Sequence, residues 1–93
     1  MIIVTVKSKT KPGYSEQYFS EFNHVSTEVR AEKGCLEYEL YQCSEDTSEF
    51  FLFERWESKD ALDAHLKTKH MLDFLAKTGE WFELKDIKVY EAK

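Results

Sequence analysis

Residues 49–57 constrain the fold more than any other stretch. Within Phe50-Phe51-Leu52-Phe53-Glu54-Arg55-Trp56, strand alternation puts Phe50, Leu52, Glu54 and Trp56 on one face and Phe51, Phe53 and Arg55 on the other. Both faces are apolar, so the strand belongs in the middle of a sheet with cover on both sides. One of those faces also holds a carboxylate, Glu54, in an otherwise apolar row. A chain of 93 residues is expected to form one domain, spanning 1–93, with few elements to spare for two covers.

The neighbouring elements follow from changes of period. Residues 2–9 are β-branched at Ile2, Ile3, Val4, Thr5 and Val6 and read as a strand that ends at Pro12-Gly13. From Ser15 to Glu32 the apolar spacing becomes helical: Tyr18, Phe22, Val25 and Val29 recur at four, three and four, and Phe19 widens the stripe. Ser15 is placed to cap this helix, and Gly34 to end it in a left-handed conformation. Residues 35–43 and 49–57 form a hairpin, with Leu36, Tyr38 and Leu40 on one face of its first strand. Cys35, Glu37, Glu39, Tyr41 and Cys43 share the opposite face. Ser58 caps a helix that buries Leu62 and Leu66 with His65 alongside. Thr68 caps a further segment through Met71, Phe74 and Leu75 to Gly79, and residues 83–91 make a last strand. The order β-α-β-β-α-β is the ferredoxin-like arrangement, an α+β fold on a four-stranded antiparallel sheet.

Two helical segments cover only one face of such a sheet. The other face leaves Phe51 and Phe53 in water, so a homodimer with sheets packed face to face into a shared barrel is expected. Seven Phe, five Tyr and two Trp support either that interface or a pocketed core. The net charge of −5 argues against nucleic-acid binding, which needs a basic face. No apolar run approaches the roughly 20 residues that cross a bilayer, and Met1-Ile2-Ile3-Val4 lacks the basic start of a signal peptide, so a cytoplasmic protein is expected. Cys35 and Cys43 lie on one extended stretch, about 26 Å apart. That is far beyond the about 7 Å that a disulfide spans, and both are expected to be inert, partly buried thiols. No metal-ligand spacing or phosphate-binding loop is present.

Several stretches, taken in order, resemble the antibiotic-biosynthesis-monooxygenase (ABM) family of dimeric α+β barrels. They are Pro12-Gly13, Glu32-Lys33-Gly34-Cys35-Leu36-Glu37-Tyr38-Glu39-Leu40, Phe53-Glu54-Arg55-Trp56-Glu57, Ala61-Leu62 and His65-Leu66-Lys67-Thr68-Lys69-His70. The resemblance implies a pocket between helices and sheet, entered near the helix that holds His65. It also implies chemistry without flavin or metal in the quinol and polyaromatic branches, haem degradation in another, and isomerisation of a small ketone in a third. The polyaromatic and haem branches carry a Trp where this chain has His65. The haem branch also needs a His near Leu75 and an Asn on the first strand, where this chain has Thr5, Val6 and Lys7. Haem degradation is therefore not expected.

Within that frame His65 is the first catalytic candidate. A cofactor-free oxygenation needs a base to produce an electron-rich phenolate or enolate, and imidazole does this at neutral pH. Glu54, on a buried strand face, must be paired or have its pKa raised, and is expected to orient His65 or bind substrate. Tyr38 is placed to donate its phenol to a substrate oxygen. Trp56, Phe22 and Phe74 are expected to line the substrate pocket. His70 is expected to be solvated and His24, beside Val25 on the first helix, half exposed, and neither is assigned a role. The leading reading is a cofactor-independent monooxygenase of a small quinol, phenol or enolisable compound, using oxygen. The alternatives are an isomerase that moves a proton with the same residues, or a dimeric binding or stress-response module whose pocket is filled by its own aromatics.

Overall fold

The sheet is built around the two-faced strand. In the structure, a computed structural model that describes residues 1–93, the strands are β1 (Ile2–Thr10), β2 (Cys35–Gln42), β3 (Glu49–Trp56) and β4 (Phe82–Glu91). They are arranged β2-β3-β1-β4, and every neighbouring pair is antiparallel. Strand β3 is thus hydrogen-bonded on both sides. The helices α1 (Ser15–Arg30), α2 (Lys59–Leu66) and α3 (Lys69–Thr78) follow in the expected places, with a short 3₁₀ turn before β4. The ferredoxin-like α+β architecture expected from the sequence is the one observed.

Helix α1 buries Tyr18, Phe22, Val25 and Val29, each contributing roughly 1.5–3 kcal/mol on leaving water. They meet Phe50, Leu52 and Trp56 of β3 and Val4 and Val6 of β1 in one core. Arg30, in the last turn of α1, donates through Nε and Nη2 to the Tyr38 carbonyl at 3.0 and 2.7 Å, which ties the helix end to β2. The Ser58 and Thr68 side chains cap α2 and α3 as expected, accepting from the backbone N–H of Ala61 and Met71.

Local details depart from the sequence reading. Ser15 does not cap α1: the cap position is Tyr14, which makes no side-chain capping bond, and the Ser15 hydroxyl pairs with that of Thr10 at 2.8 Å. Gly34 has the left-handed φ of +87°, but it lies beyond the C-cap Ala31 and serves the turn into β2. A register shift between Cys35 and Glu37 inserts Leu36 as an extra residue, which reverses the faces at this end of β2. Cys35 packs against the core and Leu36 is exposed. Phe19 is exposed because it lies one helical step outside the α1 stripe. Leu66 is exposed because α2 turns Leu62 and His65 inward instead. Cys43 is exposed rather than partly buried, and both cysteines are free thiols. No helix is long and apolar enough to cross a membrane.

All three helices lie on one face of the sheet. The other face carries Phe51 and Tyr41, both exposed, beside Phe53, half-buried, and the Arg55–Glu37 ion pair at 2.8 Å. On the edge strand β4, Leu84, Ile87, Val89 and Tyr90 are all exposed.

Candidate functional site

A cavity of about 200 Å³ opens between the sheet and helices α2 and α3. Val4 and Val6 of β1 and Leu52 of β3 form its floor; Leu62, Met71 and Phe74 form its roof. Exposed Leu66, Ile87 and Val89 edge it where β4 runs past α2. Its ionisable lining groups are Glu54, His65, Lys85 and the phenols of Tyr18 and Tyr38.

Helix α2 brings His65 over β3 because residues 62 and 65, one turn apart, share its inner face. The ring is 1% exposed. It lies against Trp56 with centroids 4.4 Å apart, and meets Tyr38 edge-on at 5.9 Å. Its two nitrogens have different surroundings. Nδ1 lies 2.9 and 3.1 Å from the two carboxylate oxygens of Glu32, which places its proton on that nitrogen. Nε2 is left as the free lone pair, 3.9 Å from Glu54 Oε1.

Glu54 accepts a hydrogen bond from the Trp56 indole N–H at 2.9 Å and is buried. Desolvation pushes its pKa up to about 7, opposed by the Trp56 bond and reinforced by the nearby Glu32 charge. Burial lowers the pKa of His65, while the bond to Glu32 and its charge pull the other way. Both groups are thus driven towards their neutral forms. Tyr38 is pushed well above the ordinary phenol range, first by burial and then by the Glu54 charge, so it stays a donor.

Gly34 is what lets Glu32 reach the histidine. A Cβ at Gly34 would sit 2.5 Å from that of Ala61 on α2, so only glycine allows the chain after α1 to pass this close to the helix that carries His65. Its carbonyl also accepts from the Glu57 N–H at 2.8 Å.

The structure brings four of the six sequence candidates to the cavity wall: His65, Glu54, Tyr38 and Phe74. Trp56 and Phe22 stand behind it. Trp56 is fully buried beneath His65 and Glu54, and Phe22 stacks on Tyr38 at 5.0 Å. The carboxylate bonded to His65 is Glu32 rather than Glu54. Its sequence signal is limited to its place at the head of the Glu32–Leu40 stretch, since the contact with α2 is made across the fold. His70 is no bystander: it is half-buried and bonds Glu32 through Nε2 at 2.7 Å. His24 is exposed. No group of three or more His, Cys, Asp or Glu side chains is arranged to hold a metal ion.

Residues 1–77 match the family described as antibiotic biosynthesis monooxygenase, ABM. The chain belongs to the ABM family. It is 31% identical over 80 residues to "Putative monooxygenase YcnE" of Bacillus subtilis, covering 86% of this chain and 84% of that protein. Similarity to "Uncharacterized protein sll1783" of Synechocystis is 29% over 91 residues, which is 97% of this chain but 62% of that longer relative. The crystal structure of Rv0793 from Mycobacterium tuberculosis superimposes with a TM-score of 0.91 at 29% identity, over 99% of this chain and 94% of that one. The ABM fold is therefore shared along the whole chain, around the cavity described above.

Proposed function

We propose that this ABM-family protein is a cofactor-independent monooxygenase of small phenolic, quinol or enolisable substrates, with His65 as the general base. The observation that carries this reading is the asymmetric setting of the His65 ring. Nδ1 is committed to Glu32, and Nε2 faces Glu54 and an apolar cavity. A carboxylate that fixes the tautomer and steadies the imidazolium is the arrangement used by histidine bases elsewhere. His65 takes a proton from the substrate, and the resulting anion supplies the electrons that reduce oxygen. One oxygen atom enters the substrate carbon; the other leaves as water with two substrate hydrogens. Tyr38 donates to the substrate oxygen, and Lys85 places positive charge at the cavity where anionic charge develops.

The cavity volume supports a small substrate. A void of about 150 Å³ accepts benzene, so about 200 Å³ suits a single ring with its substituents. Trp56 and Phe22 act in this reading as supports for Glu54, His65 and Tyr38 rather than as direct contacts. The exposed apolar residues on the uncovered face, Phe51 and Tyr41, support a homodimer in which a second copy covers this sheet.

Glu54 favours a second reading. A carboxyl group with a pKa of about 7 beside an imidazole forms an acid and a base poised for work at neutral pH. That pair suits an isomerase, which removes a proton at one carbon and returns it at another. Oxygen uptake measured with a panel of monocyclic hydroquinones and enolisable ketones tests the two. One oxygen consumed per product supports the oxygenase. Product formation at the same rate under argon replaces it with the isomerase, and no turnover of either kind removes both.

A further inference from the structure

A line of alternating carboxylates and imidazoles leads away from the back of His65. His65 Nδ1 lies 2.9 Å from Glu32 Oε2. The same oxygen lies 2.7 Å from His70 Nε2, and His70 Nδ1 lies 3.1 Å from Glu28 Oε2. Exposure rises along the line: the side chains of His65, Glu32, His70 and Glu28 are 2%, 12%, 21% and 60% exposed. It emerges in a polar groove between α1 and α3, lined by His24, Glu28, His70 and Asp73 among others. This groove is separate from the substrate cavity; of these four links only His65 lines that cavity.

We propose that Glu32 and His70 form a proton relay that connects the buried ring of His65 to solvent at Glu28. The proposal rests on the reading of His65 as a base and adds where its proton goes. An imidazolium left in an apolar cavity is costly. In the relay, a proton arriving on His65 Nε2 releases the one on Nδ1 to Glu32. Glu32 takes it on Oε1, 3.1 Å away, as the proton shared between Glu32 Oε2 and His70 Nε2 settles on His70 and the His70 Nδ1 proton leaves to Glu28 or water. Only hydrogen changes partners, no electrons move, and the same links run in reverse return a proton to the cavity. Every link joins a group that releases a proton to one that takes it. Two segments build the line in alternation: Glu28 and Glu32 come from α1 and the turn after it, His65 and His70 from α2 and α3.

A purely structural role, a tie between α1 and α3, differs from a relay in what it tolerates. His70→Gln keeps an amide N–H to bond Glu32 but cannot carry a proton through its side chain. The deciding measurement is the exchange of the His65 ring N–H with water, read by NMR saturation transfer on protein labelled with ¹⁵N-histidine, with no substrate added. The relay requires rapid exchange in the wild type despite the burial of His65, and at least tenfold slower exchange in His70→Gln at unchanged backbone dispersion. Equal rates in the two proteins would overturn it. Should His70→Gln fail to fold, Glu32→Gln breaks the middle link and must slow exchange by the same order, and an unchanged rate there is equally fatal. Because no turnover is involved, this result is independent of the oxygen-uptake test of the chemistry itself.

Discussion

Replacing Glu54 by Gln should stabilise the protein, and by an amount that grows with pH. The carboxyl is buried beneath His65, and desolvation raises its pKa from 4.5 to about 7. A group whose folded pKa is raised holds its proton more tightly in the folded state. Its contribution is therefore intact below the unfolded value and is lost as pH rises from about 4.5 to about 7. The full loss above that range is roughly 3 kcal/mol, with about 1 kcal/mol already lost at pH 5. Gln does not ionise, yet its side-chain oxygen still accepts from the Trp56 indole. The stability difference between Glu54→Gln and wild type should thus widen by about 2–3 kcal/mol between pH 5 and pH 8. For a chain of this size that is roughly 10–20 °C in Tm. The lowered pKa of His65 acts in the opposite direction, but it is present in both proteins and largely cancels in the difference. Urea or thermal unfolding at matched protein concentration, so that any association is held constant, provides the measurement. A difference that is the same at both pH values would refute the claim that Glu54 is held in a desolvating site.

Other consequences are as direct. Phe53→Glu places a charge on the uncovered sheet face and should convert a dimer to a monomer in sedimentation, whereas a wild-type protein that is monomeric at micromolar concentration refutes the shared barrel. Gly34→Ala combines a left-handed backbone with the approach to Ala61 and should cost roughly 2–4 kcal/mol; unchanged urea stability would show that this contact is not tight. If the isomerase reading holds, turnover should fall above about pH 7 as Glu54 ionises, and Glu54→Gln, which cannot donate a proton, should be slow at every pH. Activity should persist at lower pH than an ordinary histidine base allows, because burial keeps His65 neutral; a rising limb centred well above 6.5 contradicts this.

The fold was legible because the two-faced β3 and the 4-3-4 stripe of α1 are each over-determined by periodicity. What periodicity does not encode was misread. Leu36 and Cys35 exchange faces through a bulge that depends on pairing with β3, and Leu66 is turned out because an eight-residue helix buries only one narrow stripe. In the site, Glu54 was legible as a carboxylate in an apolar row, and His65 through its place beside Leu62. Glu32 and His70 were not, since a charged residue after a helix and a histidine near a helix start look solvated until the tertiary fold brings them together. Trp56 and Phe22 read as pocket-lining aromatics but stand behind the wall, because a sequence does not say whether a buried ring faces a cavity or backs the residue that does.

The most direct test of the central claim is the turnover of His65→Asn on a substrate that the wild type oxidises, followed by oxygen consumption with the variant shown to be folded. Asn keeps a polar side chain over Trp56 but cannot accept a proton from the substrate. The expected result is a fall in kcat of roughly 10²-fold or more, in the range that general base catalysis contributes, with KM changed far less. Turnover equal to the wild type would contradict His65 as the base and leave the cavity's shape and Tyr38 to explain the activity.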